Sequence, residues 1–444
     1  MARLVKSLRQ FLGLDSSILP VSRFARSIDT DFSYFREGDR VIVHGKTPQL
    51  TKPLRKGQKS DVRRGQLEHD QIIGRRVRDL VQARKVSQTG PEYRLTLPTL
   101  EEYVALTPRL VTPIYAADAN LIVSLLDIHV APPADGDDGR PPLEILESGT
   151  GHGSLTLQLA RAIQAANSLP PLLPEESQIQ YLQGRPGRPG DDQPQTNGQG
   201  AEGDKPVDQT QEQWDTWRAQ RKAIIHTVDV SPKFSAHAET IVREFRRGIY
   251  AGNVDFYVGH VENWIMEQVR RRQQQTRSSN LLPSFRKSDT SPEPFLTHAI
   301  LDMPSSHLRI PHVARILKRD GILAVFMPSV TQIGECVDLI RQQKLPFILE
   351  KAVELGPGIS NGRLWDIRFA VKKSRADPSS WTESSSEPAG EEPVEEETAE
   401  AQAVEETPAK DPETALVCRP KVGSRIVGGG FVGIFRRIED FQAQ

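Results

Sequence analysis

The sequence predicts an α/β fold, in which a doubly wound α/β domain follows a small β domain. Three observations predict it. After Tyr115, short apolar runs alternate with segments whose apolar residues recur at helical spacing, which is typical of a parallel sheet covered by helices. Between residues 35 and 97, short alternating strands and turns predominate. A glycine-rich turn joins the first long apolar run to a helix.

Composition limits the class of protein. The chain has 444 residues, more than one ordinary domain, with 37% hydrophobic and 26% charged residues. No stretch approaches the run of about 18 apolar residues that a membrane span needs. The two cysteines, Cys336 and Cys418, cannot staple a secreted scaffold of this size, so a reducing compartment is expected.

The charge is unevenly distributed. The formal net charge is -1, but residues 381–415 contain twelve acidic side chains and one basic residue, Lys410, a local charge of -11 that leaves +10 on the remainder. The rest of the chain, with this excess of positive charge, would be attracted to a polyanion such as nucleic acid. The alternative is a basic surface that serves only solubility.

Residues 1–30 are basic and form a possible transit peptide. They contain five basic and two acidic residues, and the apolar positions between Leu4 and Leu14 recur near helical spacing opposite Arg3, Lys6 and Arg9. This pattern is typical of a mitochondrial targeting segment, so a mitochondrial location is expected, with a nuclear one as the alternative. An ordinary N-terminal helix docked on its own domain fits the same pattern.

The remaining boundaries follow from changes in pattern. We expect a small β domain over residues 31–98, with a basic loop between its first strands that contacts phosphates or is simply solvated. The α/β domain is expected over 99–375, with polar surface insertions at about 168–222 and 270–294. An acidic, disordered tether (376–415) then precedes a last strand or hairpin (416–444) that returns to the sheet.

The passage "LEILESGTGHGSLT", residues 143–156, is the most informative motif. It places a strand, an acidic residue and three alternate glycines before a helix, an arrangement that lets backbone approach a nucleotide-like ligand. The spacing is not G-x-G-x-x-G, and no Lys-Ser/Thr follows as in a P-loop. A neutral or cationic nucleoside cofactor is therefore favoured over a triphosphate, although such a turn can also be purely structural.

Asp229 is a second acidic candidate, because it closes the strand "AIIHTVDV", the next strand of the alternation. A carboxylate there can accept hydrogen bonds from both hydroxyls of a cofactor ribose. Its alternative role is to cap the helix that begins near Pro232.

Several separate motifs, which follow one another along the chain, resemble those of a known family. They are "FREGDRVIV", "GQLEHDQIIG", "PTLEEYVALTPR", "IYAADANLIVSLLDI", "ILESGTGHGSLT", "ILDMPSSH", "GRLWDIR" and "CRPK…GGGFVGIFRRI". Together they span roughly residues 35–440, without the insertions. In these motifs the chain resembles the catalytic subunit of the tRNA adenine-N1 methyltransferases, which modify the T-loop adenine at position 58.

The resemblance implies a Rossmann-like class I methyltransferase domain that uses S-adenosyl-L-methionine and acts on tRNA. It also implies a tetramer, either homomeric or with a non-catalytic partner subunit. Attack of adenine N1 on the cofactor's methyl group would require no metal. By match to the family's first motif, the cofactor's methionine and ribose would be surrounded by Glu147, Gly149, Gly151, Gly153, Ser154, Leu155 and Thr156. Asp229 takes the place of the ribose-binding acid.

The resemblance also assigns the catalytic side. Asp302, in "LDMP", matches the acid that faces the target base. A carboxylate that accepts from the adenine N6–H would orient the ring and stabilise the charge that develops when N1 attacks the methyl group. Tyr115 stands where the family places an aromatic residue beside the cofactor, and Trp365 is a second candidate for stacking. Either ring could instead serve core packing.

Some positions depart from the family pattern. His260 stands where an acid usually contacts the cofactor adenine, and His307 replaces a bulky residue. Val111 and Thr112 stand where Thr followed by Gln or Ala is common, and the closing segment has Gly428, Gly429, Gly430 and Phe431. These departures bear on catalytic rate and partner contacts more than on the fold.

Two other functions compete with the methyltransferase hypothesis. One is a non-catalytic tRNA-binding scaffold subunit of the same fold, against which the intact glycine spacing and Asp302 argue. The other is an enzyme with a protein or small-molecule substrate, against which the +10 body and the cluster Arg270, Arg271 and Arg272 argue.

Overall fold

The computed structural model describes residues 27–45, 48–85, 89–133, 140–183, 208–279, 293–356, 363–371, 414–420 and 429–439. The predicted transit peptide lies almost entirely outside these ranges, as do the acidic tether up to residue 413 and Gly428.

The N-terminal domain is a six-stranded antiparallel sheet whose strand order is β2-β1-β6-β5-β4-β3. Its core is apolar and contains Phe35, Val41, Leu67 and Leu95 among others. The strands are β1 (Ile42–His44), β2 (Gln49–Leu50), β3 (Lys59–Val62), β4 (Gly65–Glu68), β5 (Leu80–Arg84) and β6 (Thr89–Thr96).

The second domain is built on a ten-stranded sheet with the order β15-β14-β13-β16-β12-β11-β7-β9-β10-β8. Strands β8, β10, β9, β7, β11 and β12 are parallel, whereas β16 runs antiparallel between β12 and β13. The strands are β7 (Leu143–Ser148), β8 (Gln180–Tyr181), β9 (Ala223–Asp229), β10 (Val254–Val258), β11 (Leu296–Leu301), β12 (Leu317–Met327), β13 (Phe347–Glu354), β14 (Arg363–Val371), β15 (Thr414–Pro420) and β16 (Phe431–Arg437).

Helices cover both faces of this sheet and bury two apolar cores. One core includes Leu155, Leu159 and Ile241, and the other includes Trp264 and Ile333. The α-helices are α1 (Leu100–Leu106), α2 (Ala116–Leu125), α3 (Ser154–Ile163), α4 (Gln209–Arg218), α5 (Pro232–Glu244), α6 (Val261–Ser279), α7 (Ile310–Ala314) and α8 (Val330–Gln342). Within the described ranges, none of these helices is long and apolar enough to cross a membrane.

The strand order locates the expected ligand site. From β7 the chain adds β9 and then β10 on one side, and it later crosses over to add β11 and β12 on the other. In open α/β sheets, ligands bind beyond the carboxyl ends of the strands where the order reverses, here between β7 and β11. The predicted fold class is confirmed: a Rossmann-like, doubly wound α/β domain follows a small β domain.

The first predicted insertion is more ordered than its composition indicates. Helix α4 lies inside the range 168–222, with Trp214 and Trp217 buried, and the Trp217 indole N–H donates to Ser168 Oγ at 2.9 Å. Two large rings three residues apart give this otherwise polar helix an apolar face. The average composition of a segment does not reveal such a pair, so the prediction that this insertion buries too little apolar surface to be ordered was wrong over these residues.

The second predicted insertion begins later than expected. Helix α6 continues to Ser279, so the three arginines 270–272 lie on a helix rather than in an irregular loop. Arg272 donates to Glu144 at 2.6 Å, and its guanidinium carbon lies 3.8 Å from the centre of the Phe295 ring. At least one member of this basic cluster is therefore engaged inside the protein.

The two domains are joined through Arg247, which follows α5. Its guanidinium donates twice to the buried carboxylate of Asp39, at 2.9 Å each, and also to the backbone carbonyls of Asp29, Asp31 and Tyr34. Arg247 adopts a left-handed conformation with φ of 58°. Because a non-glycine residue rarely adopts this conformation, the connection is held by these contacts rather than by backbone preference.

Candidate active site

A cavity of about 400 Å³ lies at the carboxyl ends of β7, β9 and β11, where the strand order reverses. Its wall consists of the turn after β7, the ends of β9 and β11, and the segment before α2. The lining residues are Val111, Thr112, Pro113, Ile114, Glu147, Ser148, Gly149, Thr150, Gly151, His152, Ser154, Leu155, Val228, Asp229, Val230, Phe234, Gly259, Val261, Asp302, Met303 and Pro304.

The three glycines after β7 all have positive φ, of 96°, 53° and 82°. At Gly149, a Cβ would lie 1.8 Å from the carbonyl oxygen of Asp302. At Gly153, which caps the N-terminus of α3, a Cβ would lie 3.1 Å from that of Ala238. A Cβ on Gly151 would meet only Val111 Cγ1, at 3.7 Å, so the turn has an open side at Gly151.

Glu147 lies beneath this turn and is buried. One carboxyl oxygen accepts a hydrogen bond from Thr156 Oγ1 at 2.7 Å, and the other is buried without a partner among the described residues. Burial raises the pKa of Glu147 to about 8. Thr156 itself does not line the cavity, so it orients Glu147 rather than facing a ligand directly.

Asp229, at the end of β9, lies against the glycine turn. Its two carboxylate oxygens accept from the backbone N–H groups of Gly151, at 3.0 Å, and Ser231, at 2.8 Å. Helix α5 is capped by Ser231, whose hydroxyl accepts from Phe234 N–H, so the alternative role of Asp229 as the helix cap is not what the structure shows. Burial raises the pKa of Asp229.

Asp302 follows β11 and lines the same cavity. Its backbone N–H donates to the Ser148 carbonyl at 2.8 Å, which holds β11 and β7 together at their ends. Within the described ranges, no group donates to the Asp302 carboxylate, so it does not cap the following turn. Burial, and then the charge of Asp229, raises the pKa of Asp302 to about 7.

The first turn of α3 brings Ser154 and Leu155 to the cavity wall. The Ser154 hydroxyl donates to the carbonyl of Ile114 at 2.5 Å, which ties the segment before α2 to the glycine turn. Of the predicted cofactor-binding residues, Glu147, Gly149, Gly151, Ser154, Leu155 and Asp229 line the cavity, whereas Gly153 and Thr156 lie behind its wall.

Three residues that were predicted to contact the cofactor or the base do not line the cavity: Tyr115, His260 and Trp365. Tyr115 is 49% exposed, and its hydroxyl accepts from Arg109 at 2.9 Å. His260 follows β10, and its carbonyl accepts from Asn263 and Trp264 N–H at the start of α6. Trp365 packs edge-on against Phe431 and donates to Glu354, so its ring serves packing at the far side of the sheet.

The sequence prediction did not include His152, which lines the cavity between Gly151 and Gly153. Its ring is buried, packs edge-on against His237 with centroids 5.4 Å apart, and has no hydrogen-bond partner among the described residues for either nitrogen. Burial lowers the pKa of His152 to about 4, so this imidazole is neutral near pH 7. In the sequence, the position of His152 between Gly151 and Gly153 of the glycine-rich turn indicates that it lies near the ligand.

The described part of the chain contains no cluster of three or more His, Cys, Asp and Glu side chains that could hold a metal ion.

Comparison with known proteins identifies relatives by sequence. No protein-family profile matches the chain. The tRNA (adenine(58)-N(1))-methyltransferase TrmI of one strain of Thermus thermophilus is 24% identical over 286 residues, which is 64% of this chain and 72% of TrmI. The TrmI of a second Thermus thermophilus strain matches at the same identity and coverage.

Two solved structures also match the chain, at low structural similarity. An S-adenosylmethionine-dependent O-methyltransferase from Thermotoga maritima has a TM-score of 0.48 at 14% identity, covering 93% of this chain and 97% of that one. TrmI from Aquifex aeolicus has a TM-score of 0.43 at 14% identity, covering 91% and 99%. The sequence match is the informative one: the chain is homologous to the TrmI tRNA (adenine-58-N1)-methyltransferases.

Proposed function

We propose that the protein is an enzyme that transfers a methyl group from S-adenosyl-L-methionine to N1 of the adenine at position 58 in the T-loop of tRNA. The observation that carries the proposal is the meeting of the glycine turn, Asp229 and Asp302 on one cavity, in a chain homologous to TrmI. The cofactor supplies a methyl group on a positively charged sulfur.

The residues present fit this cofactor. Each oxygen of Asp229 accepts from one backbone N–H group, which leaves acceptor capacity for ribose hydroxyls. The open side of Gly151 lets the ligand approach the turn, where a side chain would obstruct it. Glu147, Ser154 and Leu155 line the wall near the start of α3, and the N-terminus of a helix favours a carboxylate such as that of the methionine moiety.

Asp302 is the proposed contact to the base. With no hydrogen-bond donor among the described residues, its carboxylate can accept from the exocyclic N6–H of adenine. This contact would hold N1 towards the cofactor side of the cavity and stabilise the positive charge that the methylated ring acquires. Asp302 would be neither a nucleophile nor a metal ligand in this mechanism.

The target base must leave its stack to reach the cavity, at a cost of a few kcal/mol. Tyr115 directly follows the lining segment 111–114 and exposes about half of its surface. We propose that its ring stacks on the displaced base and offsets part of this cost.

Replacing Asp302 tests the proposal. In Asp302→Ala, methyl transfer to tRNA should fall at least about a hundredfold, because a preorganised electrostatic contact in the transition state is lost. Cofactor binding by calorimetry should be retained. Asp118→Ala is the control, since Asp118 is a partly buried carboxyl on α2 that does not line the cavity. Unchanged N1-methyladenine formation in Asp302→Ala would refute the role.

The assembly and the compartment are further parts of the proposal. A tetramer, homomeric or with a non-catalytic subunit, is what the family resemblance implies, and sedimentation of the purified protein tests it. The basic residues 1–30 support a mitochondrial location over a nuclear one. Loss of N1-methyladenine from cytosolic tRNA alone, in cells without the protein, would contradict that location.

A further inference from the structure

The cavity carries an unusual excess of negative groups. Three carboxyl side chains line it, Glu147 from β7, Asp229 from β9 and Asp302 after β11, and no lysine or arginine is among its described lining residues. Three ionised carboxylates that line one cavity repel one another. A cavity of this charge is suited to a cation.

The three carboxyl groups differ in how well they are satisfied. Asp229 accepts from two backbone N–H groups, which favour its ionised form. Glu147 has one buried oxygen without a partner among the described residues, and no described group donates to Asp302. Burial raises the pKa of both side chains, to about 8 and about 7. A proton retained near neutral pH would therefore lie on Glu147 or Asp302.

The other charged groups around the cavity do not neutralise this excess. His152 on the glycine turn and His237 on α5 both have lowered pKa values because they are buried, so they are neutral near pH 7. Arg109 precedes the lining segment and donates to Tyr115 at the surface. On the β10 side, His260 lies outside the lining and Glu262 is paired with Arg309 at 2.8 Å.

We propose that, without cofactor, the protein keeps one proton on the Glu147–Asp302 pair and releases it to solvent when the sulfonium of S-adenosylmethionine enters the cavity. This inference rests on the proposed function. The incoming positive charge replaces the proton as the group that offsets carboxylate repulsion. S-adenosylhomocysteine, the product, has a neutral sulfur and does not replace it.

The consequence is a charge-based preference for cofactor over product. Transfer of the methyl group converts the sulfonium to a neutral thioether, and the positive charge leaves with the methylated adenine. The carboxyl pair then takes one proton back from solvent, so charge and protons balance over the cycle. Above the pKa of the pair, the product faces carboxylates with no cation between them, which weakens its binding relative to the cofactor.

Calorimetry of both ligands across pH tests this. The two ligands share every group except the methyl and its charge, so the dissociation constant of S-adenosylhomocysteine divided by that of S-adenosylmethionine isolates the sulfonium. We expect this ratio to rise about tenfold per pH unit between pH 7 and pH 8, where the pair holds one proton, and to level off above pH 8. In two buffers of different ionisation enthalpy at pH 7.5, about one proton should be released per cofactor and none per product.

Two conservative variants locate the proton. Removal of either carboxyl relieves the other of its partner's charge, so the pH dependence of the ratio should weaken and move to lower pH in both Asp302→Asn and Glu147→Gln. Asp118→Asn is the matched control, because burial raises the pKa of Asp118 as well but it lies outside the cavity, so its ratio should follow the native one. If Glu147→Gln fails to fold, Asp302→Asn alone decides the result.

The outcomes separate this inference from the proposed function. A ratio independent of pH in the native protein, or an unchanged pH dependence in Asp302→Asn, overturns the inference while saturable cofactor binding still supports a methyltransferase. No saturable binding of S-adenosylmethionine at any pH overturns the proposed function and the inference with it.

Discussion

The glycines after β7 have different structural requirements, although the sequence shows them as one repeat. Gly149 lets the ends of β7 and β11 meet, since any Cβ there would overlap the Asp302 carbonyl. Gly153 lets α3 pack closely against Ala238 of α5, and Gly151 leaves the turn open. The three positions should therefore respond differently to the same substitution.

Alanine at Gly149 and at Gly151 tests this difference. Both have positive φ, which costs an L-residue about 1–2 kcal/mol. Gly149→Ala adds a backbone overlap, so we expect a total loss of at least about 3 kcal/mol of unfolding free energy and the loss of cofactor binding. Gly151→Ala should cost only about 1–2 kcal/mol. Equal unfolding midpoints for the two variants in urea would contradict the geometry.

The residues whose shared position follows from the sequence are those that end strands. Glu147, Asp229 and Asp302 each stand at or after the carboxyl end of a parallel strand, and such ends share one edge of the sheet, so their convergence follows from the pattern. The direction of Tyr115 and His260 depends on how the following helices pack, which local sequence does not encode. The same is true of the burial of His152 against His237.

At the scale of elements, Arg247 joins the two domains. Its side chain is 10% exposed and that of Asp39 is 1% exposed. Removal of one partner leaves a buried charge uncompensated, so Arg247→Ala should lower the unfolding free energy by about 3–5 kcal/mol. Arg161→Ala removes an arginine on α3 that makes an exposed hydrogen bond to Asn120, and it should change the unfolding free energy by less than about 0.5 kcal/mol.

Urea unfolding followed by tryptophan fluorescence measures both variants. Limited proteolysis between the domains is a second readout, because a loosened junction should be cut faster in Arg247→Ala. An Arg247→Ala protein as stable and as protease-resistant as Arg161→Ala would show that Arg247 does not hold the domains together.

Strands were predictable where apolar residues dominate a short segment. The segments "LEILES" and "AIIHTVDV" correspond to β7 and β9, because parallel strands that are buried on both faces are rich in apolar residues. The helix α4 was missed, since its apolar face depends on two tryptophans in a polar setting. The place of β16 between β12 and β13 is a long-range pairing, which the motif predicted only as a return to the sheet.

At the scale of the whole molecule, the buried carboxyl groups make stability depend on pH. A carboxyl whose pKa is raised by folding retains its proton in the native state after the unfolded state has lost it, so stability falls as pH rises towards the native pKa. Burial lowers the pKa values of His152 and His298 to about 4, so these two histidines change the stability with pH only below about pH 6.5. These two histidines therefore do not contribute between pH 6.5 and 8.5, where the raised pKa values of the carboxyl groups act.

We expect the free energy of unfolding to fall by about 2–3 kcal/mol from pH 6.5 to pH 8.5, mainly through Glu147 and Asp302. Thermal unfolding at intermediate pH values measures this, and Glu147→Gln should reduce the fall. Saturating S-adenosylmethionine should reduce it too, because its charge stabilises the ionised carboxylates. A native protein equally stable across this interval would contradict the buried-carboxyl arrangement.

The most direct measurement is the identity of the product. The purified protein is incubated with S-adenosylmethionine and an unmodified tRNA transcript, beside a transcript in which adenine 58 is replaced by guanine, and the nucleosides are separated by mass spectrometry. We predict about one N1-methyladenine per adenine-58 transcript and none in the substituted one. A methyl group at another base or atom, or no transfer despite saturable cofactor binding, would contradict the assignment.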